Sequence, residues 1–399
     1  MIVNATLEIM DKIIIPHYAA KVLSVLNGAG FEAYAVGGCC RDALLGREPN
    51  DWDICTSALP DQIIELFPDS IPTGIKHGTI SVKTENGLIE VTTFRVDGEY
   101  TDHRRPDAVC FTSKLREDLA RRDFTMNALA ADAEGNITDC FEGIADIEKG
   151  IIRCVGNAEK RFGEDALRMF RAVRFASQLS FNLDEELILA ARKLAHTAAY
   201  VAAERIYTET IKALISPAPE TLALSFEWGL YPGVKACTLD LSPIKKQPSD
   251  PTTRLLALAA ILYKDGAIDS PTEFMKALRG TAQQIRASEL IFFPVPVWNN
   301  RSLPQVAAAV GREFAINAAA VMEIYGYANS IAEMEKLLAS GHCLSVKELD
   351  ISGKDIMNLG YSGKDVGKCL DILLQHTLTS PEDNKNEILI DIIKNRAEG

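Results

Sequence analysis

From about Asn157 onward the apolar residues of this chain recur almost wholly at three- and four-residue spacing, as in "EDALRMFRAVRFASQL", "EELILAARKLAHTAAYVAAERIYTETIKALI", "TTRLLALAAILY" and "EFAINAAAVMEIYGYANSIAEMEKLLA". That spacing lines one face of a helix. The first 137 or so residues alternate between two periods. A helical pattern near Tyr18–Leu26 precedes an apolar strand pattern at Ala33–Val36, a second strand carries Asp51 and Asp53, and "TISVKTENGLIEVTTFR" reads as a hairpin turning at Asn86–Gly87. The expected fold is therefore α+β, an N-terminal mixed-sheet head over residues 1–140 followed by an all-helical extension. Proline and polar clusters near 216–220, 243–251 and 293–304 divide that extension into 141–215, 216–305 and 306–399.

A chain of 399 residues, 47% hydrophobic and 24% charged, has room for two or three soluble domains. It shows neither a secretory leader pattern nor an apolar run of spanning length, so a cytoplasmic protein without membrane contact is expected. Nine cysteines without C-x-x-C spacing, two of them adjacent at Cys39 and Cys40, point to free thiols rather than zinc or a disulfide framework. The net charge of −13 speaks against a nucleic-acid partner unless basic groups gather locally.

In "AYAVGGCCRDALLGREPNDWDICTSALPDQIIELF" the strand pattern ends in Gly37 and Gly38, turns through a short helix and returns as a strand bearing Asp51 and Asp53. Side chains at i and i+2 of a strand share a face about 6 to 7 Å apart. Such a pair is either two solvated acids flanking Trp52 or a site for Mg²⁺, which takes one or two carboxylates and completes its shell with water and phosphate oxygens. The glycine pair is either a tight turn or a backbone cradle for an anion, with Arg41 one turn into the following helix as a phosphate-capable cation. Together they describe a nucleoside triphosphate beside metal-binding carboxylates. Glu90, the only acid in "LIEVTTF", is the candidate third carboxylate, with a surface glutamate as the alternative.

Two further stretches carry polar chemistry. "REDLARRDFTMNALA" brings Arg122, Asp123 and Asn127 together, where arginine can fork onto phosphate and Asp or Asn can hold ribose hydroxyls; an ordinary helix with ion pairs is the alternative. In "GEDALRMFRAVRF", with Glu164 alongside, Asp165 and Arg168 stand three apart on a helical pattern. They form a salt bridge, or they read a base. A carboxylate accepting from an amino group, with an arginine donating to a ring nitrogen, would accept cytosine and adenine and reject uracil and guanine.

These motifs, in this order over about the first 210 residues, resemble the class II tRNA nucleotidyltransferases, the CCA-adding enzymes and bacterial poly(A) polymerases of the DNA polymerase beta superfamily. Gly37, Gly38, Arg41, Asp42, Asp51 and Asp53 match the family's first motif, "RRDFTMNALA" its ribose-recognising motif, "EDALR" with Arg171 its nucleotide-templating motif, and Glu204 and Arg205 of "AAERIYTETIKAL" its last. The resemblance implies catalytic Asp51, Asp53 and Glu90, with Mg²⁺ on Asp51 and Asp53. Gly37, Gly38, Arg41, Arg122, Asp123, Asn127, Asp165, Arg168 and Arg171 would bind the nucleotide, with base selection by Glu164, Asp165 and Arg168. The helical segments 141–215, 216–305 and 306–399 become neck, body and tail.

By the same resemblance "RVDGEYTDHRRPDAV", with Asp97, Tyr100, Asp102, Arg104 and Arg105, is the flexible loop associated with switching from C to A addition. Arg161, Arg168, Arg171 and Arg174 are expected as a basic stripe on the first neck helix, and Lys354, Lys364 and Lys368, near glycines that precede helix starts, as phosphate contacts of the tail. The implied activity is addition of C, C and A to the 3′ end of tRNA from CTP and ATP with release of pyrophosphate, the acceptor stem being the partner surface. The alternatives are a poly(A) polymerase or a CC- or A-only tRNA nucleotidyltransferase. Oligomeric state is left open.

Overall fold

Strand β1 (Ala33–Val36) follows helix α1 (His17–Gly28), whose buried Ala19, Val22, Leu23 and Leu26 recur at three- and four-residue spacing. α2 (Gly38–Leu44), β2 (Ile54–Thr56), α3 (Pro60–Leu66), β3 (Ile71–Gly74), β4 (Thr79–Thr84) and β5 (Gly87–Thr93) come next. The computed structural model describes residues 12–98 and 109–397. Asp51 and Asp53 do not lie within a strand, as the sequence suggested, but in the extended segment leading into β2. The alternation still reaches back through them. Trp52 and Ile54 are buried while Asp51 and Asp53 are exposed, and the Val36 N–H bonds to the Asp53 carbonyl at 2.9 Å.

The hairpin turns one residue earlier than expected, on Glu85 and Asn86, with Thr84 paired to Gly87. Gly87 opens β5 at φ +116°, a conformation that side-chain-bearing residues rarely adopt. Later come β6 (Arg95–Asp97), β7 (Val109–Phe111), α4 (Leu115–Ala120), β8 (Leu129–Ala131) and β9 (Ile137–Asp139). The main sheet has seven strands in the order β3-β4-β5-β2-β1-β8-β9. Only β2 and β5 in it are parallel, with Ile54 opposite Val91. α3, β3 and β4 make the crossover between them, because parallel neighbours cannot be joined by a tight turn. One layer of core lies under the central strands, formed by Val36, Cys55, Phe94, Leu119, Ala128, Ala130 and Val155. β6 and β7 pair with Asp97 opposite Val109. Tyr100, Asp102, Arg104 and Arg105 of the expected loop lie outside the described residues.

The helical continuation starts with α5 (Gly143–Lys149), β10 (Ile151–Ile152), α6 (Ala158–Glu164), α7 (Leu167–Leu179), β11 (Asn182–Leu183), α8 (Glu185–Leu194) and α9 (Ala203–Leu214). It is not wholly helical, since β10 and β11 form a short parallel pair. α7 packs on α9. The segment after α9 folds back onto these helices: Tyr231 stacks on Phe226 at 4.4 Å, meets Phe170 edge-on at 5.4 Å, and shares a 2.7 Å hydrogen bond with Thr210. The packing accordingly divides after Thr238 rather than at 215, giving units of residues 1–238 and 239–399.

In the second unit the helix Pro251–Lys264 is buried on nearly every face from Thr253 to Leu262 and packs against Ala315–Ile324. The expected boundary at 305/306 falls inside a helix, Leu303–Val310, and so does not separate two folded parts. Towards its end the unit has a separate small core that includes Leu349, Ile356, Leu373, Leu389 and Ile393. No helix of the described residues is long and apolar enough to cross a membrane.

Candidate active site

Gly37 links β1 to α2 at φ +87°, and a Cβ there would lie 2.9 Å from Nη1 of Arg122. The backbone angle favours glycine, and any Cβ there would displace the Arg122 guanidinium. The Gly37 N–H continues the sheet by bonding to the Leu129 carbonyl at 3.0 Å, so the turn is held at the end of β1 while Asp53 is held at the start of β2. Sequence alternation and strand pairing thus bring Gly37, Gly38, Asp51 and Asp53 to neighbouring strand ends. The parallel register continues one step back from the Ile54–Val91 pair to place Glu90 beside Asp53. Glu90 is exposed, so burial gives no argument for a cation at it. Its proximity to Asp53 is the observation that matters.

Withdrawal from water pushes the Asp53 carboxyl up to about 6, helped by the negative charges of Glu90 and Asp51 and opposed by Arg122. Among the described residues neither Asp51 nor Asp53 has a hydrogen-bond or ion-pair partner for its carboxylate. The donor set, hard oxygens crowded by like charge, fits a divalent cation. It does not fit a closed protein cage, for no group of three or more His, Cys, Asp or Glu among the described residues is arranged to hold a metal alone.

The sign of the pH dependence follows. A carboxyl raised from an unfolded value of about 3.9 favours the folded state below that value and turns against it as pH rises through about 6. A cation on Asp53 offsets that loss. MgCl₂ at ten times its dissociation constant is therefore expected to raise Tm by roughly 2 to 4 °C at pH 8 and by clearly less at pH 5. Asp53→Asn should erase the difference. Differential scanning calorimetry at the two pH values checks it, and equal Mg²⁺ shifts at both in the unsubstituted protein would remove Asp53 from the cation site.

Behind the glycine turn is a network of arginines, each already engaged by acids. Arg41 is buried and forks onto Asp42 (Nε to Oδ1 and Nη2 to Oδ2, both 2.9 Å) while donating to Asn127 Oδ1 at 2.6 Å. It is turned inward rather than standing as an open phosphate cation. Asn127 donates to Asp123 at 3.1 Å, and Asp123 also accepts from Arg171 at 2.6 and 2.7 Å and from the Phe124 N–H at 2.8 Å. Burial alone would raise the Asp123 carboxyl. Arg171, Asn127 and Arg168 overcome it and hold the group well below the usual carboxylate range. Asp118, fully buried, binds Arg121 at 2.8 Å and Arg122 at 3.5 Å. The ordinary-helix alternative for "REDLARRDFTMNALA" does not hold: α4 stops at Ala120, and Arg122, Asp123 and Asn127 lie on the turn that follows.

The expected basic stripe is not an open surface. Arg161 sits on α6 and bonds Glu164, Arg168 shares Glu164, Arg171 takes Asp123 and Arg174 takes Glu209, at 2.5 to 2.7 Å. Nor are Asp165 and Arg168 neighbours on one helix face. α6 ends at Glu164, Asp165 is extended, and α7 starts at Leu167, whose N–H bonds to Asp165 Oδ1 at 3.0 Å. Arg168 turns to Glu164 and to the carbonyls of Arg161 and Arg121, whereas Asp165 accepts Arg205 from α9 at 2.8 and 3.3 Å. Glu164 bridges two arginines instead of facing outward. The helix break had a signal, Gly163 followed by an acid just ahead of an apolar periodic run. Asp118 and Glu209 carry no signal in the sequence because, read singly, each resembles an ordinary helical residue. In the second unit, Lys354, Lys364 and Lys368 are exposed, Lys368 pairing with Asp365 at 2.8 Å.

Comparison with known proteins agrees with this layout. Residues 33–153 match the family model described as the poly A polymerase head domain, 180–234 a probable RNA and SrmB-binding site of polymerase A, and 251–393 a putative tRNA nucleotidyltransferase domain 2. The chain is 35% identical over 392 residues to the CCA-adding enzyme of Enterococcus faecalis, covering 94% of this chain and 95% of that one. It is 38% identical over 386 residues to the CCA-adding enzyme of Geobacillus kaustophilus, covering 92% and 94%. Among solved structures, the Bacillus stearothermophilus CCA-adding enzyme in complex with CTP superposes with a TM-score of 0.77 at 32% identity, over 96% of this chain and 100% of that one.

Proposed function

Since the chain belongs to the family of CCA-adding enzymes, we infer that it is a tRNA nucleotidyltransferase that adds C, C and A to the 3′ end of tRNA from CTP and ATP, releasing pyrophosphate. The observation that carries this reading is the convergence of Asp51, Asp53 and Glu90 with the Gly37–Gly38 turn at adjoining strand ends, in a chain that matches such enzymes over nearly its whole length.

The family uses divalent metal ions, and Mg²⁺ is the ion proposed here, held by Asp51 and Asp53 with the remaining positions left to water and triphosphate oxygens. Bound there, it would lower the pKa of the attacking hydroxyl and neutralise charge on the leaving pyrophosphate. The chain's own groups do the rest. Gly37 and Gly38 let backbone N–H groups approach the triphosphate without a Cβ in the way. Asp123 and Asn127 fix Arg171 and Arg41 beneath it, so the site is ordered before the nucleotide arrives. Asp165 offers a carboxylate acceptor to the amino group that cytosine and adenine share, with Arg205 holding it in place. Exposed Lys354 and Lys364 of the second unit are proposed as tRNA phosphate contacts. The compartment proposed is the cytoplasm, where tRNA is matured.

Three RNAs test the reading: tRNA lacking CCA, tRNA ending in CC, and an unstructured oligoadenylate. The protein is expected to extend the first by three nucleotides and the second by one and then stop. Long tails on oligoadenylate from ATP alone would identify a poly(A) polymerase instead, and a first product two nucleotides longer that never gains A would identify a CC-adding enzyme.

A further inference from the structure

Phe175 on α7 is almost fully buried, 4% exposed, yet its ring is contacted by three arginines. The guanidinium carbons of Arg174, Arg41 and Arg171 lie 3.8, 4.9 and 5.3 Å from its centroid. Arg41 comes from α2, at the nucleotide turn, while Arg171 and Arg174 come from α7 itself. Phe124, the residue after Asp123, meets the ring edge-on at 5.8 Å and 85°.

Three like charges converging on one point repel. Two features make the arrangement stable. Each guanidinium brings its own carboxylate, Asp42 for Arg41, Asp123 for Arg171 and Glu209 for Arg174, the last at 2.5 Å and itself buried. The ring supplies the other: its negative π faces attract cations within about 6 Å, which an aliphatic side chain of equal volume cannot do.

We infer that Phe175 is a positioning residue for the incoming nucleotide, a shared aromatic seat that fixes the nucleotide-side Arg41 relative to the α7 guanidinium of Arg171. It touches no substrate and acts through those two arginines. The inference rests on the nucleotidyltransferase reading above.

The experiment replaces Phe175 by 4-fluoro-, 3,5-difluoro- and 3,4,5-trifluorophenylalanine, which drain the π faces while nearly preserving volume, and adds Phe175→Leu and Phe175→Tyr. KM and kcat for CTP and ATP are measured on tRNA, and the CTP dissociation constant is measured separately by titration calorimetry. The expected result is a stepwise rise in KM and in the CTP dissociation constant, reaching about tenfold at three fluorines and in Phe175→Leu. kcat should stay within about twofold, discrimination against UTP and GTP should not change, and Phe175→Tyr, which keeps the ring, should behave as the native protein. A flat fluorine series overturns the proposal, as does a fall in kcat at constant KM. If the native protein adds no CCA, the functional reading fails, while the calorimetric series still decides the role of Phe175. If Phe175→Leu does not fold, the fluorinated proteins carry the decision.

Discussion

Asp51→Ala or Asp53→Ala is expected to lower incorporation of both C and A at least about a thousandfold while leaving tRNA affinity within a few-fold. The two carboxylates are exposed at the start of β2, carry no protein partner among the described residues and stand beside Glu90, so what they can bind is a cation rather than RNA, whose phosphates they would repel. Loss of one ligand forfeits most of the charge neutralisation at the reacting phosphate. About 4 kcal/mol of lost transition-state stabilisation corresponds to that thousandfold. Removing either side chain opens no cavity, since both face solvent, and Tm without Mg²⁺ should not fall. Asp53→Ala should even stabilise the metal-free protein slightly above pH 6, by removing a carboxylate whose pKa is lifted first by withdrawal from water and then by the charges of Glu90 and Asp51. Single-turnover extension of tRNA and filter binding separate chemistry from affinity. Retention of more than a few per cent of activity in both variants would move the catalytic centre elsewhere.

Asp165→Ala is expected to weaken discrimination against UTP and GTP by roughly 10- to 150-fold, the equivalent of one charge-assisted hydrogen bond of about 1.5 to 3 kcal/mol. The carboxylate that accepts Arg205 at 2.8 Å is also the acceptor proposed for the base amino group. The proposed metal site is untouched, so turnover with CTP and ATP should fall less than selectivity does. Arg205→Lys keeps a cation on α9 but not the fork that reaches both carboxylate oxygens, and should produce a smaller loss of the same kind. Competition between all four nucleoside triphosphates on tRNA ending in CC measures it. Unchanged selectivity in Asp165→Ala would reduce the residue to a cap at the start of α7, where its carboxylate already accepts the Leu167 N–H.

The parts of this molecule legible in the sequence are those set by short-range periodicity. β1 falls on Ala33–Val36 because four apolar residues end at a glycine pair, and Asp51 and Asp53 are both exposed because alternation persists ahead of the first residue of β2. The arginines were misread for the opposite reason. Several partners are remote in sequence: Arg171 meets Asp123, Arg174 meets Glu209 on α9, and Arg205 meets Asp165, while the helix break at Asp165 gives Arg168 to Glu164 rather than to Asp165. A basic stripe drawn on a helical wheel shows where guanidiniums start, not which carboxylate the fold brings to them. The same blindness hid Phe175, an apolar residue in an apolar period whose neighbours are cations. The domain boundary moved because Tyr231 and Phe226, beyond a proline cluster, return to pack near α7 and α9.

The parallel pairing of β2 with β5 ties the proposed acidic site to the pairing order of the head. Asp53 and Glu90 come together only after the chain has laid down α3, β3 and β4 and brought β5 back alongside β2, a long loop closure whose entropy must be met before the contact repays it. A hairpin slipped by one residue would send Glu90 to the other face of the sheet even if the ladder bonds re-formed with new partners. A molecule that has collapsed and formed its helices can thus still lack its acidic cluster. The meeting of Asp53 and Glu90 therefore reports that β5 has reached its native register on β2.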